Sequence, residues 1–351
     1  MVISILSFPR EINYGAVLQC YALCKILQDM GHKINIIDLR LRRHPMQWYS
    51  ILIRIPMFFF FYRFRRKHLN YFTRHFKSLN ELRHYCPQSD LFIVGSDQVW
   101  NPEITKRSDP LYFFFSFLPR GVRRISYAAS FGTDNWKYPE ITDKVQLLLS
   151  KFDAVSVREE TGVDICKNVF NIDANLVLDP TLLLSSYDDI CGIYNPASVT
   201  NKLIYYKFVH NQTAQKIIVD FAKTHQLEAV AWGGSHVLPG LKRKFNFSVA
   251  EWLNSIRYSQ IVVTDSFHCM VFCVIFHKRF VALPGKPGRT TRQKSMLNQL
   301  GLSNHFCENI DDFKLKLEYA FNTTIDYAAI DCRINILRDK SINFLRHYCQ
   351  L

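Results

Sequence analysis

Short apolar runs alternate along this chain with longer stretches of helical periodicity. Residues 2–8 have the pattern of a buried strand. Residues 15–30 carry apolar positions at helical spacing and stop at Gly31, and residues 33–38 form a second strand pattern. Further on, residues 90–94, 124–129, 154–157 and 175–178 read as strands, and each ends in polar residues. A second series starts near Lys202: strand 203–208, helix 214–224, strand 227–232, helix 249–258, strand 261–264, an apolar helical run, strand 280–283 and helix 291–300. Residues from Asp311 onward have a helical pattern. Strands separated by helices predict parallel sheets. The fold class predicted is α/β with two Rossmann-like domains facing a cleft. Residues 1–185 form the first domain, and residues 186–351, with a helical C-terminus, form the second.

The stretch from 39 to 80 breaks this alternation. It holds ten Arg or Lys residues and no Asp or Glu. Taking those ten from the chain's 44 basic residues leaves 34 against 30 acidic ones, so most of the net charge of +14 sits in this stretch. Its centre, residues 48–62, is rich in aromatics but contains Arg54 and Pro56, and is too short and broken to span a bilayer. Aromatics between Arg clusters suit a segment lying in the interface of an anionic membrane. The alternative is a helical excursion packing its aromatics against the body. No nucleic-acid partner is expected, because the run of Phe residues 58–61 is too apolar for a water-filled groove.

Composition adds little more. The chain is 48% hydrophobic and 21% charged, which is ordinary, but 14% aromatic with 28 Phe, which asks for an explanation. None of the ten cysteines forms a Cys-x-x-Cys pair. Cys20/Cys24 and Cys269/Cys273 are spaced as small buried hydrophobes on helices, and no grouping has zinc spacing. A reducing, cytoplasmic location is expected, with no metal. The first residues lack a basic leader and read as a strand. The first loop is not a Gly-x-Gly-x-x-Gly fingerprint, so a nicotinamide cofactor is not expected.

The corner Thr264-Asp265-Ser266-Phe267-His268 has the most concentrated chemistry. Four polar groups lie where a strand passes into a helix, at the carboxyl edge of a sheet, where ligands bind. The N–H groups of the helix start favour an anion there. The alternative is that Asp265 or Ser266 caps the helix and His268 packs against a neighbour.

Six blocks occur in order: Asn13-Tyr14-Gly15-Ala16-Val17-Leu18-Gln19, Gly95-Ser96-Asp97-Gln98-Val99-Trp100-Asn101, Ser126-Tyr127-Ala128-Ala129-Ser130-Phe131-Gly132, Val157-Arg158-Glu159, Leu178-Asp179-Pro180-Thr181 and Thr264-Asp265-Ser266-Phe267-His268. This series resembles the polysaccharide pyruvyl transferase family, from about residue 3 to 302 apart from the basic stretch. The resemblance implies a fold like that of GT-B glycosyltransferases. It also implies transfer of a pyruvyl group from phosphoenolpyruvate, as donor substrate and with no cofactor, to a sugar hydroxyl pair. The acceptor would be a sugar or lipid-linked oligosaccharide of cell-surface polysaccharide biosynthesis, such as exopolysaccharide or capsule. The enzyme would work in the cytoplasm, at the inner face of the membrane.

Under this resemblance His268 is the candidate for phosphate contact or proton donation, since a histidine suits either role near neutral pH. Other branches of the family carry Arg-Leu-His at this corner, where this chain has Ser266-Phe267-His268. The cation that this Arg supplies must come from elsewhere or be absent. Arg292 aligns with a downstream family Arg and could bind phosphate or carboxylate through its fork, or be a solvated surface charge. Lys286 and Arg289 are weaker candidates. From the first domain, Asp97 could orient or deprotonate an acceptor hydroxyl, or bond its own backbone in a turn. Gly95 and Ser96 precede it, with Gly95 permitting close backbone approach to a ligand. Asn13, in the first loop with Gly15, could recognise a hydroxyl, and Gln19 could merely face the core. Arg158 could bind an anion or pair with Glu159 or Asp179. Gly233 and Gly234 could approach a ligand or make a turn. The competing function is a GT-B glycosyltransferase using a nucleotide sugar, which the lack of a Glu-x7-Glu pattern and of a ribose-binding carboxylate after Trp232 disfavours.

Overall fold

The computed structural model spans the chain and describes all residues except 40–47, 106–108, 210, 233–236, 246, 286, 287, 289 and 351, together with the side chains of 48–54. Two compact units are present, Met1–Leu184 with Asn335–Leu351, and Ser185–Ile334.

The first unit is built on strands β1 (Val2–Leu6), β2 (Lys33–Leu39), β3 (Phe72–Phe76), β4 (Leu91–Val94) and β5 (Arg124–Ser126). They form a parallel sheet in the order β3-β2-β1-β4-β5. Ile3 pairs with Leu91 and with Ile34, and nearly every residue of β1 and β4 is buried, as strands covered on both faces must be. Helix α1 (Tyr14–Asp29) follows β1. Its Cys20 and Cys24 are buried, as the spacing predicts. Short strands β6 (Ser156–Val157) and β7 (Asn175–Leu176) pair with each other.

The basic stretch is not an interruption of the fold. Helix α2 (Trp48–His68) connects β2 to β3, so the βαβ rhythm continues through it. The sequence hides this because β3 is an edge strand, Phe-Thr-Arg-His-Phe, with little of the apolar signal of a central strand.

The abundance of aromatics has a packing explanation. Trp100 stacks on Phe114 with ring centres 5.3 Å apart, and its Nε1 donates to the Phe113 carbonyl at 2.9 Å. Phe115, Phe131, Phe152, Phe170 and Trp136 extend this cluster within the first unit's core.

In the second unit β8 (Lys202–Tyr206), β9 (Glu228–Trp232), β10 (Lys242–Lys244), β11 (Ile261–Thr264) and β12 (Arg279–Ala282) repeat the topology, in the order β10-β9-β8-β11-β12. The edge strand β10, Lys-Arg-Lys, is fully exposed and has no apolar pattern to betray it.

The last residues depart from expectation. The helix Tyr327–Tyr348 was expected wholly in the second domain, yet from Asn335 it belongs to the first unit. Ser341 Oγ accepts from the Leu178 N–H at 3.0 Å, Arg338 donates to the Leu182 carbonyl at 2.9 Å, and Leu345 is fully buried. The apolar face of one unbroken helix is divided between two cores, which its period alone does not reveal.

Candidate active site

In each sheet the strand order reverses once, between β1 and β4 and between β8 and β11. The carboxyl ends flanking such a reversal are where open α/β sheets take ligands. The sequence-predicted residues fall largely at these two places.

In the first unit, Asn13 is the N-cap of α1, its Oδ1 accepting from Ala16 N–H at 3.2 Å, and Gly15 is buried in the helix's first turn. Gln19 faces the core, with Nε2 donating to Ser7 Oγ and the Ala16 carbonyl, each at 2.8 Å. Ser7 Oγ in turn donates to the Ser96 carbonyl at 3.0 Å, which laces the loop after β1 to the loop after β4. A Cβ added at Gly95 would meet Leu23, Ser7 and Ile5 at 3.4–3.5 Å, ordinary contact distances.

Arg158, a candidate anion binder, has a fully buried side chain that pairs with Asp179, the structural alternative of the sequence reading. Its Nη1 donates to Asp179 Oδ2 at 2.6 Å and to Ser96 Oγ at 3.0 Å, and its Nη2 donates to Asp97 Oδ1 at 3.3 Å. Burial opposes the guanidinium charge, but Asp179, then Asp97 and Glu159, outweigh it and hold the pKa above its usual value. Ser96 is buried in the same network and donates to Asp179 at 2.9 Å. Glu159 in turn accepts from Ser130 Oγ, Phe131 N–H and Gly132 N–H at 2.8, 2.9 and 3.2 Å. Four of the six sequence blocks are thus one interlocked polar cluster. Asp97 is its exposed end, with 14% of the side chain accessible and a left-handed φ of 84°. Asp tolerates such a backbone better than most residues with a side chain.

In the second unit, Asp265 follows β11 and bridges the reversal. Its two carboxylate oxygens accept from the Phe208 and Val209 N–H groups after β8, each at 2.7 Å. Burial raises the Asp265 pKa, against the effect of those two N–H donors and of Lys207. Ser266 caps the helix Phe267–Ile275, accepting from Cys269 N–H at 3.4 Å, while its own N–H donates to Thr264 Oγ1 at 3.0 Å. His268 stands at the second position of that helix and is buried. Ser266 therefore does act as a cap.

The helix Thr291–Leu300 brings Arg292 to this corner. Its guanidinium carbon lies 5.5 Å from the centre of the Phe267 ring, and neighbouring Gln293 donates to the Asp265 carbonyl at 3.0 Å. Arg292 is half-buried here, not a freely solvated charge. Lys286, Arg289, Gly233 and Gly234 lie outside the described residues.

Sequence reasoning missed Lys207. Strand β8 ends at Tyr206, so Lys207 sits at the carboxyl edge beside Asp265 and not within the strand. It is 8% exposed, with Nζ 5.3 Å from the Tyr205 ring centre. Burial lowers its pKa, and Asp265 opposes that shift. The available signal was a lone lysine at the end of an apolar run, at the position homologous in topology to the loop after β1.

A family model for polysaccharide pyruvyl transferase matches residues 13–287, a span that contains all six blocks. The chain belongs to the polysaccharide pyruvyl transferase family. It is accordingly a transferase of polysaccharide biosynthesis, with a polysaccharide acceptor implied by the family. Arg292 lies just beyond the matched span. No curated protein sequence matches the chain significantly.

Among solved structures, the chain is similar to a UDP-GlcNAc 2-epimerase from Methanocaldococcus jannaschii, with a TM-score of 0.56 at 10% identity over 96% of this chain and 99% of the other. An Arabidopsis thaliana protein complexed with UDP-L-rhamnose gives 0.55 at 10% identity over 99% of both chains. The glycotransferase of kitacinnamycin gives 0.54 at 12% identity over 99% and 98%. At such identities the likeness concerns the fold, which is GT-B-like, as the family resemblance implies, with the two parallel α/β sheets that the strand pattern predicts.

Proposed function

We propose that this enzyme transfers the pyruvyl group of phosphoenolpyruvate to two hydroxyls of a cell-surface saccharide precursor and closes a cyclic ketal. The observation that carries the reading is the gathering of Arg292 and His268 at the Ser266-capped helix start, with Lys207 beside Asp265 at the same sheet edge. Phosphoenolpyruvate brings a phosphate and a carboxylate, and needs both cations and a proton donor. Arg292 and Lys207 stand in for the arginine that other family branches place where this chain has Ser266.

His268 delivers a proton to the terminal methylene carbon of the enol, which becomes a methyl group. The adjoining electron-poor carbon takes the first acceptor hydroxyl, whose proton passes to Asp97. Phosphate then leaves with the electrons of its C–O bond, its charge met by the two cations and the helix N–H groups. The second hydroxyl adds to the same carbon and gives its proton to the departing phosphate, which completes the ketal. Arg158 is a positioning residue in this scheme: it fixes Asp97 and keeps it an acceptor. The acceptor is a lipid-linked precursor handled at the inner face of the cell membrane.

The second reading is nucleotide-sugar glycosyl transfer, favoured by the similarity in fold to proteins solved with UDP compounds. Incubation with acceptor and either phosphoenolpyruvate or UDP-sugars separates them. Pyruvyl transfer predicts acceptor-dependent phosphate release from phosphoenolpyruvate and no nucleotide release. UDP release with no phosphate release would overturn it.

A further inference from the structure

Helix α2 has two faces of different fate. One packs on α1: Phe61 is fully buried with its ring 5.1 Å from that of Tyr14, and Phe64 lies 6.1 Å from Tyr21. The other carries Ile55, Phe58, Phe59 and Tyr62, which are 52, 37, 54 and 49% exposed. Their spacing of i, i+3, i+4 and i+7 puts them on one stripe. Arg63, Arg66 and Lys67 are exposed along it. The Arg63 and Arg66 guanidinium carbons lie 5.7 and 6.0 Å from the Phe59 and Tyr62 ring centres. The surrounding stretch 39–80 contains no acidic residue.

We infer that this stripe docks the enzyme on an anionic phospholipid surface. An exposed apolar row of this kind on a soluble body marks an interaction site, and its basic border selects the occupant. A second copy would bring the same positive charge against it, whereas anionic headgroups neutralise it. Among the described residues no helix is long and apolar enough to cross a membrane, so the helix lies in the interfacial plane with its rings at the headgroup level. Docking also bears on the reaction. Phe61, on the buried face, rests on Tyr14, the residue after the Asn13 cap at the carboxyl edge of β1. If the proposed pyruvyl transfer holds, α2 keeps the acceptor side of the site near the headgroups, where a lipid-linked sugar is presented.

The test is sedimentation of the full chain with vesicles of phosphatidylcholine alone or with added phosphatidylglycerol. Binding is expected only to the anionic vesicles. Replacing Ile55→Ser, Phe59→Ser and Tyr62→Ser together abolishes it, and each of Arg63→Gln, Arg66→Gln and Lys67→Gln weakens it about fivefold. All these side chains are exposed, so the variants should melt with the wild type. Equal binding to neutral vesicles, absence of binding, or a stripe variant that still binds would overturn the proposal. So would a wild-type dimer in solution that the stripe variant loses, or RNA that displaces the vesicles. Activity on a short soluble acceptor reads the other claim separately: the stripe variant should retain it, and vesicle binding stands whether or not phosphoenolpyruvate is the donor.

Discussion

The guanidinium of Arg292 lies over the ring of Phe267, the residue between the Ser266 cap and His268. Two helix starts distant in sequence thereby meet at one sheet edge, and a charge that reads as surface decoration becomes part of a polar corner. Replacing Arg292→Lys keeps the charge but loses the planar fork and its stacking. KM for phosphoenolpyruvate should rise roughly tenfold for Lys and up to about a hundredfold for Ala, from the loss of charge-assisted hydrogen bonds worth about 1.5–3 kcal/mol. The melting temperature should change little. An unchanged KM in the Ala variant would remove Arg292 from the donor site.

Asp97 is held at a left-handed φ that Asn also adopts readily. Asp97→Asn therefore removes the carboxylate while leaving the backbone in place. kcat should fall by about a hundredfold or more, the range of general base catalysis, with little change in KM for phosphoenolpyruvate. A variant that turns over at the wild-type rate would leave Asp97 with only a structural role.

Arg158 is predicted to matter to folding before it matters to turnover. Arg158→Ala would strand Asp179 as a buried carboxylate, with a cost of about 3–5 kcal/mol. The urea midpoint of the first unit's unfolding should drop accordingly. An unshifted midpoint would mean that the ion cluster contributes no net stability.

Lys207 supplies a pH signature. Its folded pKa lies below the ordinary lysine value because burial disfavours the ammonium, and Asp265 only partly restores it. Donor binding needs the ammonium, so affinity is full below the folded pKa and is lost as pH rises through it, before the usual lysine range near about 10.4. Stability of the free enzyme runs the opposite way: between the folded and unfolded pKa values the unfolded chain binds more protons, so stability rises with pH. Lys207→Arg does not titrate there and should bind donor with no such alkaline limb. Identical pH profiles for KM in the two proteins would refute the assignment.

Much of this arrangement could be read from the residues. Central strands such as β1, β4 and β11 declare themselves because burial on both faces forces unbroken apolar runs. Edge strands β3 and β10 escaped, β3 being only partly buried and β10 exposed throughout. The six blocks fall at strand ends as the pattern predicts, but many of their side chains hold each other. Arg158, Ser96 and Glu159 form a buried network whose visible product is Asp97. Spacing cannot tell a charge that meets a ligand from one that props up its neighbour, since that depends on partners such as Asp179 that are far away in sequence. Lys207 went unread because a strand end shifted by two residues moves it from a sheet interior to a sheet edge.

The proposed reaction transfers an intact pyruvyl group to a hydroxyl pair. Mass spectrometry of a lipid-linked saccharide acceptor after incubation with phosphoenolpyruvate tests it most directly. The account predicts an acceptor heavier by pyruvic acid less one water, one phosphate released per event, and loss of both in His268→Ala. An acceptor of unchanged mass, or full conversion by His268→Ala, would contradict it.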